Sequence, residues 1–303
     1  MKSRLILFCI FILIFTSCKG DTGAATDNSA STGFPITVTD VEGISTVIEK
    51  APERVISLTP GVTENIYLVG GIENLVGRSD FCDNPPEVLD LPATGTLYEP
   101  NNEIIASLNP DLIIAGAHTN PDKLQALRNL GFNVIRQYED SSLDSLFETL
   151  VTIGEVMGKK PEAEEAVTKI KASIGSVSEK VKDLPKPTVY YCISAGDDGD
   201  FTAGGNTFIN TIIEIAGGDN IAKGLEGWAY SKEALIEADP EIIIVGSKSG
   251  LLAQLPQMEG YKDLSAVKGN KVYAINEDLI DRYSGYIDGG VLELAEIFHP
   301  GAF

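Results

Sequence analysis

Two segments of this chain repeat the same pattern, a turn followed by a short run of apolar residues that ends in glycine. The first is NPDLIIAG at residues 109–116, and the second is DPEIIIVG at residues 239–246. An all-apolar strand without polar alternation is typical of a parallel sheet that is buried on both faces. The repeat therefore predicts two related α/β units in one chain.

The order of elements in the two units supports this prediction. Each unit contains a helix that ends in a glycine pair, at Gly70 and at Gly217, and glycine is a common C-terminal stop. Strands alternate with helices, which indicates parallel βαβ connections. Strands are predicted at residues 54–58, 75–79, 112–115, 132–136, 188–194, 242–245 and 271–275. Helices are predicted at residues 121–130, 206–216, 231–238 and 289–298.

The segment between the units, residues 141–182, has no strand signal. Apolar residues recur there at helical spacing from Leu143 to Val181. Gly158 and Pro161 divide it into two helices, since proline suits the first turn of a helix. We predict an α/β fold with two Rossmann-like lobes, each built on a parallel sheet and joined by a single long bridging helix. Such a stiff connection should allow only small lobe motions.

The N-terminus predicts export and lipid attachment. A basic start is followed by an apolar run at residues 5–15, which is too short to span a bilayer and suits a secretory signal. Small residues before Cys18 are typical of cleavage that leaves a lipid-modified cysteine, although Phe15 stands where leucine is usual. The alternative is an ordinary secretory signal with an incidental cysteine.

The predicted organisation has five parts. They are a signal peptide at residues 1–17, a lipid-anchored flexible tether at 18–35, an N-terminal α/β lobe at 36–140, bridging helices at 141–185 and a C-terminal α/β lobe at 186–303. The tether is rich in Gly, Ser, Thr, Ala and Asp, so it cannot bury enough apolar surface to fold. We expect an extracytoplasmic protein that is anchored through Cys18.

Charge and cysteine content limit the partners. The formal net charge is −21, which argues against nucleic acid and anionic lipid surfaces, because both require basic patches. The acidity could favour cationic ligands or could simply be a solvated surface.

Outside the signal and Cys18, only Cys82 and Cys192 remain, and a disulfide between them is permitted but not expected, since it would pin the lobes together. A monomer is expected.

Catalytic motifs are absent from the sequence. It contains no G-x-S-x-G, dinucleotide-binding or Walker motif. The two histidines, His118 and His299, are too few for the multi-histidine site of a dedicated zinc or manganese carrier. We therefore predict a binding protein that is not an enzyme and has no cofactor, catalytic residue or resident metal; a cell-surface enzyme is the alternative from another class. A haem carrier that uses His118 or Tyr98 as axial ligand is a further alternative.

The candidate ligand site lies in the loops after the strands. Ligands of open parallel sheets bind beyond the carboxyl ends of the strands, and a cleft between domains is the default site. Loop aromatics suit a broad, partly apolar ligand, although each could instead pack on its own lobe. Arg282 could grip a carboxylate or phosphate, or could form a salt bridge to Asp281 or Asp278. The candidates are Thr59, Phe81, Tyr98, His118, Trp228, Tyr230, Arg282, Tyr283 and Tyr286.

Several ordered motifs resemble a known family. ERVISLTPGVTE at residues 53–64 resembles the opening of the substrate-binding proteins of iron-siderophore and cobalamin ABC importers. DFCDNPPE at residues 80–87 resembles their D-x-x-D-x-P-P-E loop, and AVKGNKVY at residues 266–273 is similar to a motif near their C-terminus. The resemblance covers residues 36–300, the whole of the predicted folded part.

The resemblance implies a function and two docking residues. It implies capture of a ferric siderophore, cobalamin or similar metal chelate and its delivery to a permease dimer with its ATPase. It also implies that Glu64 docks on the permease, although a carboxylate near a helix start could equally serve as a cap. In the second lobe Thr211 stands at the matching position, so Glu214 or Asn210 would have to supply the second contact.

Overall fold

The computed structural model describes residues 33–137, 140, 142–196 and 200–303. The signal, Cys18 and nearly all of the tether lie outside the described residues. In the described part, no helix is both long enough and apolar enough to cross a bilayer.

The described chain begins with an antiparallel hairpin that is held to the N-terminal lobe by charge. Its strands are β1 (Ile36–Thr39) and β2 (Ser45–Ile48). Asp40 closes the turn by accepting hydrogen bonds from the backbone N–H groups of Glu42 and Ile44. Its fully buried carboxylate also lies 2.8 Å from the guanidinium of Arg128. This ion pair therefore joins the hairpin to a helix of the lobe.

A parallel sheet forms the centre of the N-terminal lobe, with the strand order β4-β3-β5-β6. The strands are β3 (Val55–Ser57), β4 (Leu75–Arg78), β5 (Leu112–Ala115) and β6 (Val134–Arg136). Every residue of β3 and β5 is buried. Alternate side chains enter two different hydrophobic clusters, because the sheet is covered on both faces. The burial of both faces explains why the segment NPDLIIAG shows no alternation of polar and apolar residues.

Helices surround this sheet. They are α1 (Pro60–Leu68), α2 (Asn102–Ser107) and α3 (Pro121–Asn129), with 3-10 helices at Ile72–Asn74 and Pro86–Asp90. Proline stands in the first turn of α1 and of α3, where its missing N–H costs nothing. Asn101 and Asn120 cap α2 and α3 with their side chains. The six-residue α2 has no counterpart among the predicted elements.

Two helices connect the lobes, α4 (Leu143–Val156) and α5 (Lys160–Val181). Gly158 between them has a φ of +69°, a conformation that favours glycine, and Pro161 lies in the first turn of α5. Both features were predicted. The 22 residues of α5 make it about 33 Å long.

The C-terminal lobe repeats the architecture of the first. Its strands are β7 (Thr188–Cys192), β8 (Asp200–Phe201), β9 (Asp219–Asn220), β10 (Ala229–Tyr230), β11 (Ile242–Gly246) and β12 (Val272–Ile275). The parallel sheet has the order β12-β11-β7-β9, and β8 pairs with β10 as a separate antiparallel ribbon. The two-residue strands escaped prediction, since so short a segment carries no periodic pattern.

The helices of this lobe are mostly short. They are α6 (Phe208–Ile215), α7 (Lys232–Ala238), α8 (Leu251–Gln254), α9 (Ser265–Lys268), α10 (Asp278–Asp281) and α11 (Ile287–Phe298), with a 3-10 helix at Leu255–Gln257. The terminal helix α11 contacts both α5 and α6. It therefore seals the C-terminal sheet against the bridging helix.

One hydrophobic cluster extends through both lobes and the bridging helices. It includes Ile66 of α1, Ile153 of α4, Ile170 of α5 and Leu294 of α11. Because the lobes share this core, side-chain packing joins them in addition to the chain connection. The predicted fold class, two parallel-sheet lobes with one long bridging helix, is confirmed.

The two cysteines of the described chain are buried and free. The Sγ of Cys82 lies 3.2 Å from the Oγ of Ser79. Burial raises the pKa of both thiols, that of Cys192 to about 12. No disulfide joins the two residues, and both thiols stay protonated and unreactive at neutral pH.

Removal of the Arg128 side chain should destabilise the protein strongly. Arg128→Ala leaves the carboxylate of Asp40 buried without its guanidinium partner, so we expect the free energy of unfolding to fall by about 3 kcal/mol. Urea denaturation followed by far-ultraviolet circular dichroism measures this change. The control is Lys50→Ala, which breaks a pair with Glu53 in which both side chains are 71% exposed; the loss of so exposed a pair should leave the free energy of unfolding nearly unchanged. Equal losses of unfolding free energy in the two variants would contradict the assignment of the Arg128–Asp40 pair as a buried, stabilising contact.

Candidate functional site

The carboxyl ends of the two parallel sheets open onto a cavity of about 250 Å³ between the lobes. The N-terminal lobe contributes residues that follow β5 and β6. The C-terminal lobe contributes the start of α6, the turn before β10, and α10 with the residues after it. We call this space the cleft cavity. Its lining residues are His118, Asp140, Asn206, Thr207, Phe208, Ile209, Gly227, Trp228, Ile280, Asp281 and Tyr283.

One wall of the cleft cavity is aromatic and fixed. The rings of Phe208 and Tyr283 lie 4.9 Å apart, a common edge-to-face or tilted separation. The Tyr283 hydroxyl donates a hydrogen bond to the backbone oxygen of Ser142, at 3.3 Å across the lobe boundary. Trp228, the only tryptophan of the chain, is 47% exposed. The cavity therefore has an aromatic surface formed by Phe208 and Tyr283, whose positions are fixed by these contacts. It also has one exposed aromatic side chain, Trp228, that a ligand can contact.

The acidic residues of the cleft cavity are Asp140 and Asp281. Asp281 accepts a hydrogen bond of 2.8 Å from the Tyr191 hydroxyl. Part of Asp281 opens on the cavity, but burial by the surrounding protein, aided by the nearby Glu277 carboxylate, raises its pKa to about 6. Burial also raises the pKa of Tyr191, so this hydroxyl remains a donor. At neutral pH Asp281 therefore presents a carboxylate, and Asp140 lies in the opposite wall.

A second cavity, of about 380 Å³, lies on the other side of α10. Its centre is Arg282, whose Nη1 lies 2.7 Å from Glu64 Oε1. Its Nη2 lies 2.7 Å from Asp83 Oδ1 and 3.2 Å from Asp278 Oδ1. We call this space the ion-pair cavity. Its lining residues are Glu64, Asp83, Asn84, Asn276, Asp278, Leu279, Arg282 and Tyr286.

Three carboxylates thus engage Arg282. Burial acts to lower the pKa of this guanidinium, but Glu64 and Asp83 outweigh burial and raise it. Of the two interpretations of Arg282 from the sequence, the geometry matches the salt bridge to Asp278 and adds two partners from the other lobe. Asp281 bonds to Tyr191 instead. An anionic ligand would have to displace these carboxylates before Arg282 could bind it.

The docking candidates differ in accessibility. The Glu64 side chain is 2% exposed, and its Oε2 has no hydrogen-bond partner in the described structure. The capping interpretation of Glu64 is wrong, because this residue lies beyond the first turn of α1 and its carboxylate binds Arg282. Glu214 is exposed on α6, whereas Asn210 is only 5% exposed. A permease could thus contact Glu214 directly, but Glu64 only after Arg282 moved away.

The other ligand candidates lie outside the walls of the cleft cavity. Thr59 is buried in the turn before α1. Phe81 and Tyr98 are 47% and 59% exposed on the N-terminal lobe. Tyr230 packs on Tyr190 of its own lobe with ring centroids 5.7 Å apart. The structure therefore brings together His118, Trp228 and Tyr283 in one cavity, and Arg282 and Tyr286 in the other.

Only three of the residues that line the cleft cavity were among the candidates from the sequence, and Asp140 and Phe208 are among those that were missed. Asp140 follows β6, and its position at a strand end was a usable signal. Phe208 begins α6, inside the helix predicted at residues 206–216, and was not named as a ligand candidate. Within the described ranges, no group of three or more His, Cys, Asp or Glu side chains is arranged to hold a metal ion.

Two parallel-sheet lobes with a cleft at their strand ends define a ligand-binding protein of the bilobal class. The sequence profile of the periplasmic binding protein family matches residues 55–279. The chain belongs to this family.

Individual relatives agree with this assignment. The chain is 28% identical to an uncharacterized ABC transporter substrate-binding lipoprotein of Bacillus subtilis, over 89% of this chain and 87% of that one. It is 31% identical to a vitamin B12-binding protein of Pectobacterium atrosepticum, over 67% of this chain and 74% of that one. A periplasmic heme-binding protein from a Roseiflexus species superposes with a TM-score of 0.77 at 25% identity, covering 83% of this chain and 99% of that one.

Proposed function

We propose that this chain is the extracytoplasmic substrate-binding lipoprotein of an ABC importer, and that it captures a metal chelate between its lobes without transforming it. The observation that carries the proposal is the cleft cavity, in which His118 of one lobe faces Trp228 and Tyr283 of the other. The candidate ligands belong to three classes, which are ferric siderophores, corrinoids such as cobalamin, and haem.

The charge of the cleft cavity favours a corrinoid or another neutral chelate. A corrinoid carries peripheral carboxamides, whose N–H groups can donate to the carboxylates of Asp140 and Asp281. Haem carries two propionates, which these carboxylates would repel. The nearby cations do not offset this repulsion, because Arg282 and Lys248 are both ion-paired, the latter with Asp278. The vitamin B12-binding relative supports the same choice.

The size of the cleft cavity indicates partial enclosure. A volume of about 250 Å³ is below the range of roughly 300–1,000 Å³ that is usual for drug-sized ligands. A corrinoid is larger than such ligands, so only one edge of it would enter. Exposed aromatics such as Phe81 and Tyr98 are proposed to contact the part that remains outside.

Haem is the second candidate ligand. His118 is exposed and lies in the wall of the cleft cavity, where an imidazole could bind an iron atom. The Roseiflexus neighbour, whose described ligand is haem, supports this candidate. The two ligands differ in how Asp281 affects their binding. The carboxylate of Asp281 accepts hydrogen bonds from a corrinoid but repels the propionates of haem.

The choice of ligand can be tested with cyanocobalamin, haem and a neutral ferric hydroxamate siderophore. We expect cyanocobalamin to quench the emission of Trp228 saturably with a Kd of about 1 µM or tighter. Asp281→Ala should weaken this binding about tenfold, because the carboxylate acceptor is lost. The control Asp263→Ala removes an acid that is 69% exposed and should leave the Kd unchanged. Isothermal titration calorimetry measures the affinities.

Two results would reject the corrinoid proposal. One is folded protein that binds no cyanocobalamin. The other is a shifted Soret band on addition of haem that His118→Ala abolishes, which would assign the site to haem. Binding of the hydroxamate chelate alone would instead assign the importer to siderophores.

The proposed location and partners follow from the same function. Cys18 is proposed as the lipid attachment site that keeps the monomeric protein at the membrane. The ligand would pass to a permease dimer that is driven by its ATPase. Glu214 is proposed as one docking contact, and Glu64 as another that becomes available once Arg282 releases it.

Docking by Glu214 can be separated from ligand capture. In cells of the source organism that carry the variant chain, Glu214→Ala should lower uptake of radiolabelled cyanocobalamin about tenfold, as expected for loss of a charged contact of roughly 1.4 kcal/mol. The Kd of the purified variant should not change. Glu259→Ala, which removes a side chain that is 90% exposed elsewhere, is the control for both measurements. Normal uptake with Glu214→Ala would contradict this docking role.

A further inference from the structure

Residues 282–286 form a short segment that leaves the C-terminal lobe and lies on α1 of the other lobe. We call it the strap. Asn65, which is 1% exposed, holds the strap at two points. Its Nδ2 donates to the backbone oxygen of Tyr283 at 3.2 Å, and its Oδ1 accepts from the backbone N–H of Gly285 at 2.9 Å. Both functional groups of one buried amide therefore cross the lobe boundary.

The contact surface is shaped for this close approach. A Cβ at Gly61 of α1 would lie only 2.7 Å from the backbone oxygen of Tyr283. A Cβ at Gly285 would lie 2.6 Å from Leu68 and 2.8 Å from Ile170. At Gly61 the neighbour is backbone, so this position needs glycine for the strap to lie this close to α1. At Gly285 the neighbours are the ends of flexible side chains, which would have to shift to admit a Cβ.

The strap also carries a wall of the ligand site. The Tyr283 ring lines the cleft cavity against Phe208, while its backbone oxygen is held by Asn65. Arg282, at the start of the strap, lies in the ion-pair cavity on the opposite side. Any movement of the strap away from α1 would therefore displace Tyr283 and change the width of the cleft cavity.

We infer that Asn65 is a positioning residue of the ligand cleft, which fixes Tyr283 by clamping the strap to α1 and so sets the spacing of the lobes. Asn65 lies outside the walls of the cleft cavity and acts through Tyr283. The inference rests on the proposed function only in taking the cleft cavity as the ligand site. Fixing Tyr283 before the ligand arrives removes part of the ordering cost of binding.

A matched control exists on the corresponding helix of the other lobe. Asn210 of α6 is also a buried asparagine, 5% exposed. Its amide bonds to Gly205, Glu214 and Asn220, all within the C-terminal lobe. Asn65→Ala removes two side-chain hydrogen bonds and Asn210→Ala removes three, but only the first variant removes bonds between the lobes.

The test measures lobe spacing and affinity in the full-length lipoprotein in detergent. Spin labels at Leu130→Cys and Leu252→Cys, both exposed and in different lobes, report the interlobe distance by pulsed electron paramagnetic resonance. Asn65→Ala should lengthen and broaden this distance without ligand, and should weaken cyanocobalamin binding about tenfold. Asn210→Ala should leave both readouts as in the parent chain.

The outcomes separate this inference from the proposed function. An unchanged interlobe distance and an unchanged cyanocobalamin affinity with Asn65→Ala would overturn the positioning role. A residue that acts only within its own lobe, as Asn210 does, would give this result. If Asn65→Ala does not fold, the isosteric Asn65→Asp keeps the acceptor for Gly285 but replaces the donor to Tyr283 with a carboxylate oxygen that repels the Tyr283 carbonyl, and it should shift the distance in the same direction. A parent chain that binds no cyanocobalamin would reject the proposed ligand, while the distance measurement would still decide the role of Asn65.

Discussion

The structure depends on the packing of one long helix against both lobes. The inward face of α5 carries Ala163, Val167, Ile170, Ile174, Val177 and Val181, all buried. The same hydrophobic cluster includes residues from both parallel sheets. A close-packed core resists deformation, so the cleft at the strand ends has a spacing that is set largely before a ligand binds. The Asn65 clamp and the Arg282 ion pairs act beside this core and hold the lobes together at the strap.

The sequence predicts the parts of the fold that are repetitive and leaves out those that depend on distant contacts. The apolar runs at residues 112–115 and 242–245 predict buried parallel strands, because these positions face apolar neighbours on both sides of the sheet. Pro161 marks the start of α5 for a local steric reason. The ribbon of β8 and β10 is too short to leave a pattern. For the candidate site, strand-end position selected His118, Trp228 and Tyr283, which the structure brings together in the cleft cavity. It could not reveal that Arg282 meets Glu64, since this pair joins residues 218 positions apart in the chain.

The ion pairs of Arg282 also determine the charge of the cleft cavity. Arg282 and Lys248 both form ion pairs with Asp278 of α10, and Arg282 also binds Glu64. The charge that remains in the cleft cavity is therefore that of Asp140 and Asp281, beside an aromatic wall. A binding protein for an anionic chelate would need a cation that is available to the ligand. This arrangement instead suits a neutral ligand with many N–H donors, and it links selectivity to contacts that also hold the lobes together.

The electron density of a crystal grown with cyanocobalamin would test the account most directly. The account predicts one corrinoid between the lobes, with an edge against Trp228 and Tyr283, a carboxamide within hydrogen-bond distance of Asp281, and the strap still bound to Asn65. A corrinoid bound outside the cleft, or an empty cleft in crystals of folded protein at saturating ligand, would contradict it.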